Sequence, residues 1–332
     1  MAPMKYFYEL TISSSPHAHS PVTTQTIMRD VLIALFPALC GSVYFFGFRA
    51  LMVTLVSVAG CVFFEWGYRK LMHLDSTVYD LSAMVTGVLL AFVCPVTIPY
   101  WCILIGDFFA IIVVKQLFGG IGKNFVNPAL AARAFLFSWP VVMSSWVKVG
   151  FENAAGIFST ADIVTSATPL AAMHQGTMTS ASLWDLFLGN VGGSQGETSA
   201  LLLLIGFAYL LIRRVVSPRI PLAFIGTVAV IAVLFPRGND PLTWMGAQVL
   251  SGGVMLGALF MATDYSTSPV TKLGQILFGI GCGALTMVIR YFGSYNEGVS
   301  YAILVMNACV VLLDKLGRPV KYGAPKKEAK QG

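Results

Sequence analysis

The residues best placed for chemistry in this chain lie in one short polar run, Asp162 to Gly176, "DIVTSATPLAAMHQG". Its hydroxyls are Thr165, Ser166 and Thr168; its titratable groups are Asp162 and His174. A hydroxyl is a useful nucleophile only when a base stands beside it. Pro169 interrupts any helical register that would bring His174 back to Thr168. Protease or esterase chemistry is therefore not expected, and no catalytic residue is assigned. Thr168 precedes a proline, which biases its backbone towards an extended conformation. Its neighbours Ser166 and Ala167 are small and leave its hydroxyl open. Two readings of the run remain, a plain turn or the attachment point of a covalent modification.

The other chemistry-bearing residues sit in apolar surroundings. Glu65, Asp107, Arg133 and Asp264 fall within or at the ends of long apolar runs. An ionisable group there is costly unless it faces a protein interior or water. Asp107, Arg133 and Asp264 are candidates for an ion pathway. For Asp107 the competing role is a helix-packing hydrogen bond, for Arg133 a pairing role, and for Asp264 the holding of a helix end. Glu65 lies near the end of its run, where snorkelling to the interface is the simplest account. Ser194 and Glu197 in "GGSQGETS" have capping-box spacing. His17 and His19 form H-x-H, at most half a zinc site. The six cysteines contain no C-x-x-C pair, so no cluster or zinc framework is expected and no metal site is assigned.

The elements that must carry these residues are membrane helices. The chain is 56% hydrophobic and 11% charged, with a mean hydropathy of +0.76. Soluble domains carry about 25% charge, so a polytopic membrane protein, all-α, is expected. Windows of about 20 apolar residues give about ten spans, centred on 27–46, 50–68, 78–94, 98–118 and 126–143, then 199–213, 220–236, 247–264, 272–292 and 300–315. The polar interval 144–198 divides them five and five, and its "SLWDLFLG" reads as a short interfacial helix or an amphipathic turn. No secretory signal pattern is expected, because the first apolar run begins only near Ile27.

Two further patterns orient the chain. "CPVT" at Cys94–Thr97 returns as "SPVT" at Ser268–Thr271, and "LFGG" at Leu117–Gly120 as "YFGS" at Tyr291–Ser294, both at one offset. With an odd number of spans per half, such a repeat is inverted, an architecture that places a site at the repeat interface. Of the 21 Lys and Arg residues, sixteen fall on the side of the termini and four (Arg49, Lys148, Arg237, Arg290) on the other. Positive residues stay inside, so both termini are expected in the cytoplasm and 144–198 outside. The net charge of +6 then follows from topology, and nucleic acid is not an expected partner. The expected organisation is a cytoplasmic segment 1–26, a five-helix half 27–143, the outward segment 144–198, a second half 199–315 and a basic tail 316–332.

The string D-x-x-[ST]-x-A-T, read as Asp162, Thr165, Ser166, Ala167 and Thr168, resembles a flavin-attachment motif. It is that of a membrane redox family comprising the RnfD subunit of the Rnf electron-transport complex and the NqrB subunit of the sodium-pumping NADH:quinone reductase. "SSPHAHS" (Ser14–Ser20), "FVNPALAARAFLFSWP" (Phe125–Pro140), "GNVGGSQGETSALLLLIG" (Gly189–Gly206) and "MATDYSTSPVT" (Met261–Thr271) are similar to the family in order along the chain. The short region before the first span fits the RnfD branch better than the NqrB branch. Ser166 stands where the family usually has glycine. The resemblance implies FMN joined to Thr168 through a phosphoester by a separate flavin transferase. It further implies a noncovalent riboflavin, to which no position is assigned. The implied function is electron transfer in a multi-subunit ion-translocating ferredoxin:NAD oxidoreductase, coupled to Na⁺ or H⁺, in a bacterial or archaeal plasma membrane. The other Rnf subunits would supply the clusters, nucleotide chemistry and another covalent FMN. The rival expectations are an NqrB-like subunit, an inverted-repeat channel without flavin, or a scaffold that docks redox subunits.

Overall fold

The structure is a computed structural model and describes residues 22–147, 168–238 and 240–317. Every regular element it describes is helical. The first set is α1 (Thr24–Phe46), α2 (Phe48–Leu71), α3 (Ser82–Phe92), α4 (Tyr100–Phe108, continued by a π-helical stretch Phe109–Gln116) and α5 (Pro128–Leu136). Three short helices follow, α6 (Pro140–Met143), α7 (Pro169–His174) and α8 (Leu183–Leu188). The second set is α9 (Ala200–Ile212), α10 (Arg219–Leu234), α11 (Pro241–Leu250), α12 (Val254–Leu256, continued by the π-helical stretch Gly257–Met261), α13 (Lys272–Phe292) and α14 (Val299–Leu316).

Four helices, α1, α2, α13 and α14, are long and apolar enough to cross a membrane. The pair Pro241–Leu250 and Val254–Met261, bent by 64°, makes a fifth if it is one span. The other expected spans are shorter helices, and local chemistry accounts for two of the interruptions. The run 126–143 divides at Trp139, because Pro140 starts a new turn as an N1 residue. Only the nine residues Pro128–Leu136 are left as a helix, capped by the Asn127 side chain on the amides of Ala129 and Leu130. The run 247–264 breaks at Ser251–Gly253, where Gly252 takes φ +67°. The 11 residues of α3 reach about 16 Å at 1.5 Å per residue, roughly half a bilayer core.

Half-length helices expose carbonyls at membrane depth, which is tolerated only where protein satisfies them. After α3, the amides of Gln195 and Gly196 donate to Cys94 O (3.3 Å) and Phe92 O (3.0 Å). Arg49 donates to the carbonyls of Val96 (2.8 Å) and Ile98 (3.2 Å). At the end of α11, Arg290 takes the carbonyls of Gln248 (2.6 Å) and Ser251 (3.0 Å). Each break is thus held by one buried arginine from a long helix.

The two sets interlock. α1 packs along α9, α5 along α14, and α12 with its π stretch meets α9 and α14. The tightest point is Gly206 on α9, where a Cβ would run into the Ala34 carbonyl of α1. Neither backbone can retreat without opening the interface. Gly206→Ala is therefore expected to destabilise the protein by about 1–3 kcal/mol, measured as a lower thermal midpoint in detergent.

Glu65 departs from the expectation. It is fully buried rather than snorkelling, and its Oε2 pairs with Lys115 Nζ at 2.7 Å. Thr77 and Gln116 donate to its Oε1. The ammonium it meets is 50 residues away in sequence, and this contact removes the reason to reach for water.

Candidate functional site

Thr168 is extended (φ −72°, ψ 152°), as its following proline dictates, and is the N-cap of α7. Its side chain makes no capping hydrogen bond, so the hydroxyl stays uncommitted to local structure. α7 is fixed by its buried residues Leu170 and Met173. His174 is a pin: its Nδ1–H donates to the Arg290 carbonyl at 3.0 Å. α8 flanks the same region with a capping box between Ser182 and Asp185. The Ser182 hydroxyl donates to Asp185 at 2.7 Å and holds that carboxyl below its usual range.

Thr168 lies on the wall of a cavity of about 210 Å³. Aromatic and apolar residues form much of it: Phe137, Trp146, Leu186 and Tyr295. The turn Gly192–Gly193 and the break Ser251–Gly252 supply backbone, and Arg133, Glu197 and Glu297 supply charge. Tyr295 sits 5.4 Å from Tyr301 and 6.0 Å from Phe137, ring centre to ring centre.

Arg133, fully buried on α5, organises the charged wall. One terminal nitrogen donates to Glu197 Oε1 and Ser300 Oγ, each at 3.0 Å. The other donates to Glu297 Oε2 at 2.7 Å. Its ring neighbour is Phe137, 5.6 Å from the guanidinium carbon. Glu297 also accepts the Gly253 amide, which ties the α11–α12 break to the pair. The pairing role open to Arg133 is thus present. The expected Ser194–Glu197 capping box is not: Ser199 caps α9, its hydroxyl accepting from Leu202 N, and Glu197 turns inward to Arg133. An arginine in the interior outcompetes a helix-end amide, because a buried charge needs compensating charge more than a helix end needs a cap.

The residues fit a covalently held flavin nucleotide on three counts. Thr168 lines the cavity, and its hydroxyl is free of capping. The Nε of Arg133 and the Oγ of Ser251 are buried without a hydrogen-bond partner, an arrangement that folded proteins rarely leave. The remaining wall offers aromatic rings for a flat heterocycle. The rest of the attachment string, Asp162, Thr165, Ser166 and Ala167, lies outside the described residues, as do His17 and His19.

The three ion-pathway candidates lie in different places. Arg133 belongs to the Thr168 cavity. Asp264 lines a second cavity of about 80 Å³ with Lys115, Asn124 and Asn127. There its carboxylate accepts from Ser266 (2.8 Å) and Thr267 (3.1 Å), as a turn-forming residue does. Asp107 sits among α2, α3 and α4 and lines neither cavity. Among the described residues no group of three or more His, Cys, Asp and Glu side chains is arranged to hold a metal ion.

Sequence reading missed Glu297 altogether and misjudged Glu197 and Glu65. The usable signal was Arg133 itself: a guanidinium inside a span requires carboxylates, and these two flank the neighbouring apolar runs.

Comparison with known proteins covers nearly the whole chain. The sequence model of the NQR2, RnfD, RnfE family matches residues 11–323. The D subunit of the Na(+)-translocating ferredoxin:NAD(+) oxidoreductase complex of Acetobacterium woodii is 48% identical over 327 residues, covering 97% of this chain and 98% of that protein. The D subunit of the proton-translocating ferredoxin:NAD(+) oxidoreductase complex of Clostridium ljungdahlii is 41% identical, covering 94% and 96%. The D subunit of the ion-translocating oxidoreductase complex of Halorhodospira halophila is 36% identical, covering 93% and 94%. With a family match over nearly its full length, the chain belongs to the NQR2, RnfD, RnfE family.

Proposed function

We propose that this chain is the membrane subunit of an Rnf-type complex that passes electrons through FMN held covalently on Thr168, and that it couples ferredoxin:NAD redox chemistry to the movement of Na⁺ or H⁺. The observation that carries the reading is the position of Thr168. Its uncapped hydroxyl stands on the wall of the cavity that also contains Arg133 with its unpartnered Nε. A flavin bound there supplies one-electron transfer, and its ester link keeps it from dissociating between turnovers. The chain's own contribution is to position. Pro169 fixes the backbone of Thr168, His174 anchors the helix that follows, and Glu197 and Glu297 aim the guanidinium of Arg133.

Other Rnf subunits complete the reaction as partners, and a flavin transferase installs the FMN. The relatives' names favour such a complex and differ over the ion, Na⁺ in one and protons in another. A noncovalent riboflavin belongs to the same reading, with no position assigned to it.

The chain is further proposed to consist of two inverted five-element halves in a bacterial or archaeal plasma membrane, with cytoplasmic termini and the Thr168 segment outside. One interrupted span in each half, after α3 and after α11, supports the repeat. A reporter fused after Lys148 is expected to be active only on the outer face, and a cytoplasmic result overturns the topology. The function is tested by denaturing-gel fluorescence of the complex co-expressed with its transferase. A fluorescent band at this chain's mass is expected. A dark band favours a channel or docking scaffold on the same architecture.

A further inference from the structure

We infer that Asp107 binds a monovalent cation, a proton or Na⁺, in the middle of a polar column along the buried face of α2. The inference rests on the proposed role in ion movement and names the station.

The column begins with spacing. Thr54, Ser57, Cys61 and Glu65 recur at intervals of three and four, so they lie on one stripe of the helix. All four are at most 2% exposed. At one end Arg49 holds the carbonyls after α3, and Gln195 donates to Thr54 Oγ1 at 3.3 Å. At the other end Glu65 meets Thr77, Lys115 and Gln116. Midway, Ser57 Oγ (2.6 Å) and Cys61 Sγ (3.2 Å) both donate to Asp107 Oδ1. Ser57 Oγ also lies 2.9 Å from the Gly87 carbonyl, so its single proton has two acceptors to choose between. From Arg49 to Glu65 the helix rises about 24 Å, most of a hydrocarbon core about 30 Å thick.

Charge decides which member of the column carries the ion. Glu65 is compensated by Lys115. Asp107 is not: no described Lys, Arg or His forms an ion pair with it, and its buried Oδ2 has no hydrogen-bond partner. The ionisable groups coupled to it electrostatically are Cys61 on α2 and Cys94 after α3, and further along the column stand Glu65 on α2 and Lys115 on the π-helical stretch. The thiols bring no cation, and the lysine is taken. Gly60 presents only hydrogen towards Oδ2, where a Cβ would come within 2.7 Å. A carboxylate so placed is too costly to stand bare, so it takes a cation from outside the protein. Serving only as a packing hydrogen bond would leave Oδ2 unexplained.

The test uses the intact complex. Dicyclohexylcarbodiimide, which reacts with protonated carboxyls in apolar surroundings, is expected to modify Asp107 and to spare the ion-paired Glu65, read by peptide mass spectrometry. Suppression of labelling by Na⁺, but not by K⁺, identifies Na⁺ as a competing occupant. Labelling indifferent to Na⁺ identifies the proton alone. A detected, unmodified Asp107 peptide overturns the inference. In proteoliposomes driven by reduced ferredoxin, Asp107→Asn is expected to lower ion movement per electron about tenfold or more, with covalent flavin content unchanged. Unaltered ion movement overturns the inference. If that variant fails to assemble, labelling of the unmodified complex decides. Labelling does not depend on flavin, so its failure is distinguishable from a failure of the Thr168 reading.

Discussion

Thr168→Ala is expected to remove all covalent flavin from this chain and to leave its fold intact. The two halves of that result come from one observation. Thr168 is an N-cap in position only, because its side chain caps no amide. Replacing a capping threonine by alanine ordinarily costs about 1 kcal/mol. Here no capping bond exists to be lost, and the change is expected to stay within about 0.5 kcal/mol. The backbone is set by Pro169 and the helix by Leu170, Met173 and His174, none of which the substitution touches. Fluorescence of the denatured band should fall to background, ferredoxin-dependent NAD reduction by the complex should fall with it, and the thermal midpoint should not move. A variant band that remains fluorescent would falsify the assignment of Thr168. A variant that unfolds would show that Thr168 has a structural role the geometry does not contain.

The second large effect concerns Arg133. Its guanidinium is the only cation paired with Glu197 and Glu297 in the described residues. Arg133→Leu fills comparable space but leaves two carboxylates facing one another in the interior. Removing one partner of a buried ion pair costs about 3–5 kcal/mol, and here two pairs share the partner lost. Unfolding in detergent should occur at much lower temperature, and the complex should be recovered in poor yield. Arg133→Lys keeps the charge but cannot present two separate nitrogens to carboxylates on different segments. It should lose at least one charged hydrogen bond, about 1.5–3 kcal/mol. Thermal midpoints in the order native, lysine, leucine are expected. A leucine variant as stable as the native chain would mean that the two carboxylates do not need the guanidinium.

How much of this was legible in the sequence depends on the range of the interaction that decides each residue. The helical class and the long spans α1, α2, α13 and α14 follow from uninterrupted apolar runs, and the structure has all four. The extended backbone of Thr168 is equally local, fixed by the next residue. The shortening of the fifth expected span was written in Pro140 and in the Asn127–Pro128 cap, yet hydropathy averaged over 126–143 conceals both. Glu65 and Glu197 were misjudged for a different reason. Snorkelling and capping are inferences from neighbours within a turn, whereas their partners lie 50 and 64 residues away. Glu297, in the loop between α13 and α14, gives no local sign of importance. Its role exists only when α5 is brought beside α14. Periodicity finds which face of a helix is buried, but not what waits on the other side.

The cluster at Arg133 also imposes an order on biosynthesis. The arginine emerges from the ribosome 64 residues ahead of Glu197 and 164 ahead of Glu297. A lone arginine at the centre of an inserting helix costs about 2.5–3.5 kcal/mol, and α5 is only nine residues long. The nascent first half therefore gains little by committing α5 to lipid before its acidic partners arrive. Glu197 comes first and neutralises the charge from the intervening segment. Glu297 comes only when α13 is already made, and it draws the Gly253 amide with it. Maturation of the Thr168 cavity is thus a late event in the life of the polypeptide. A chain truncated before residue 297 would keep Thr168 but lack the finished pocket behind it.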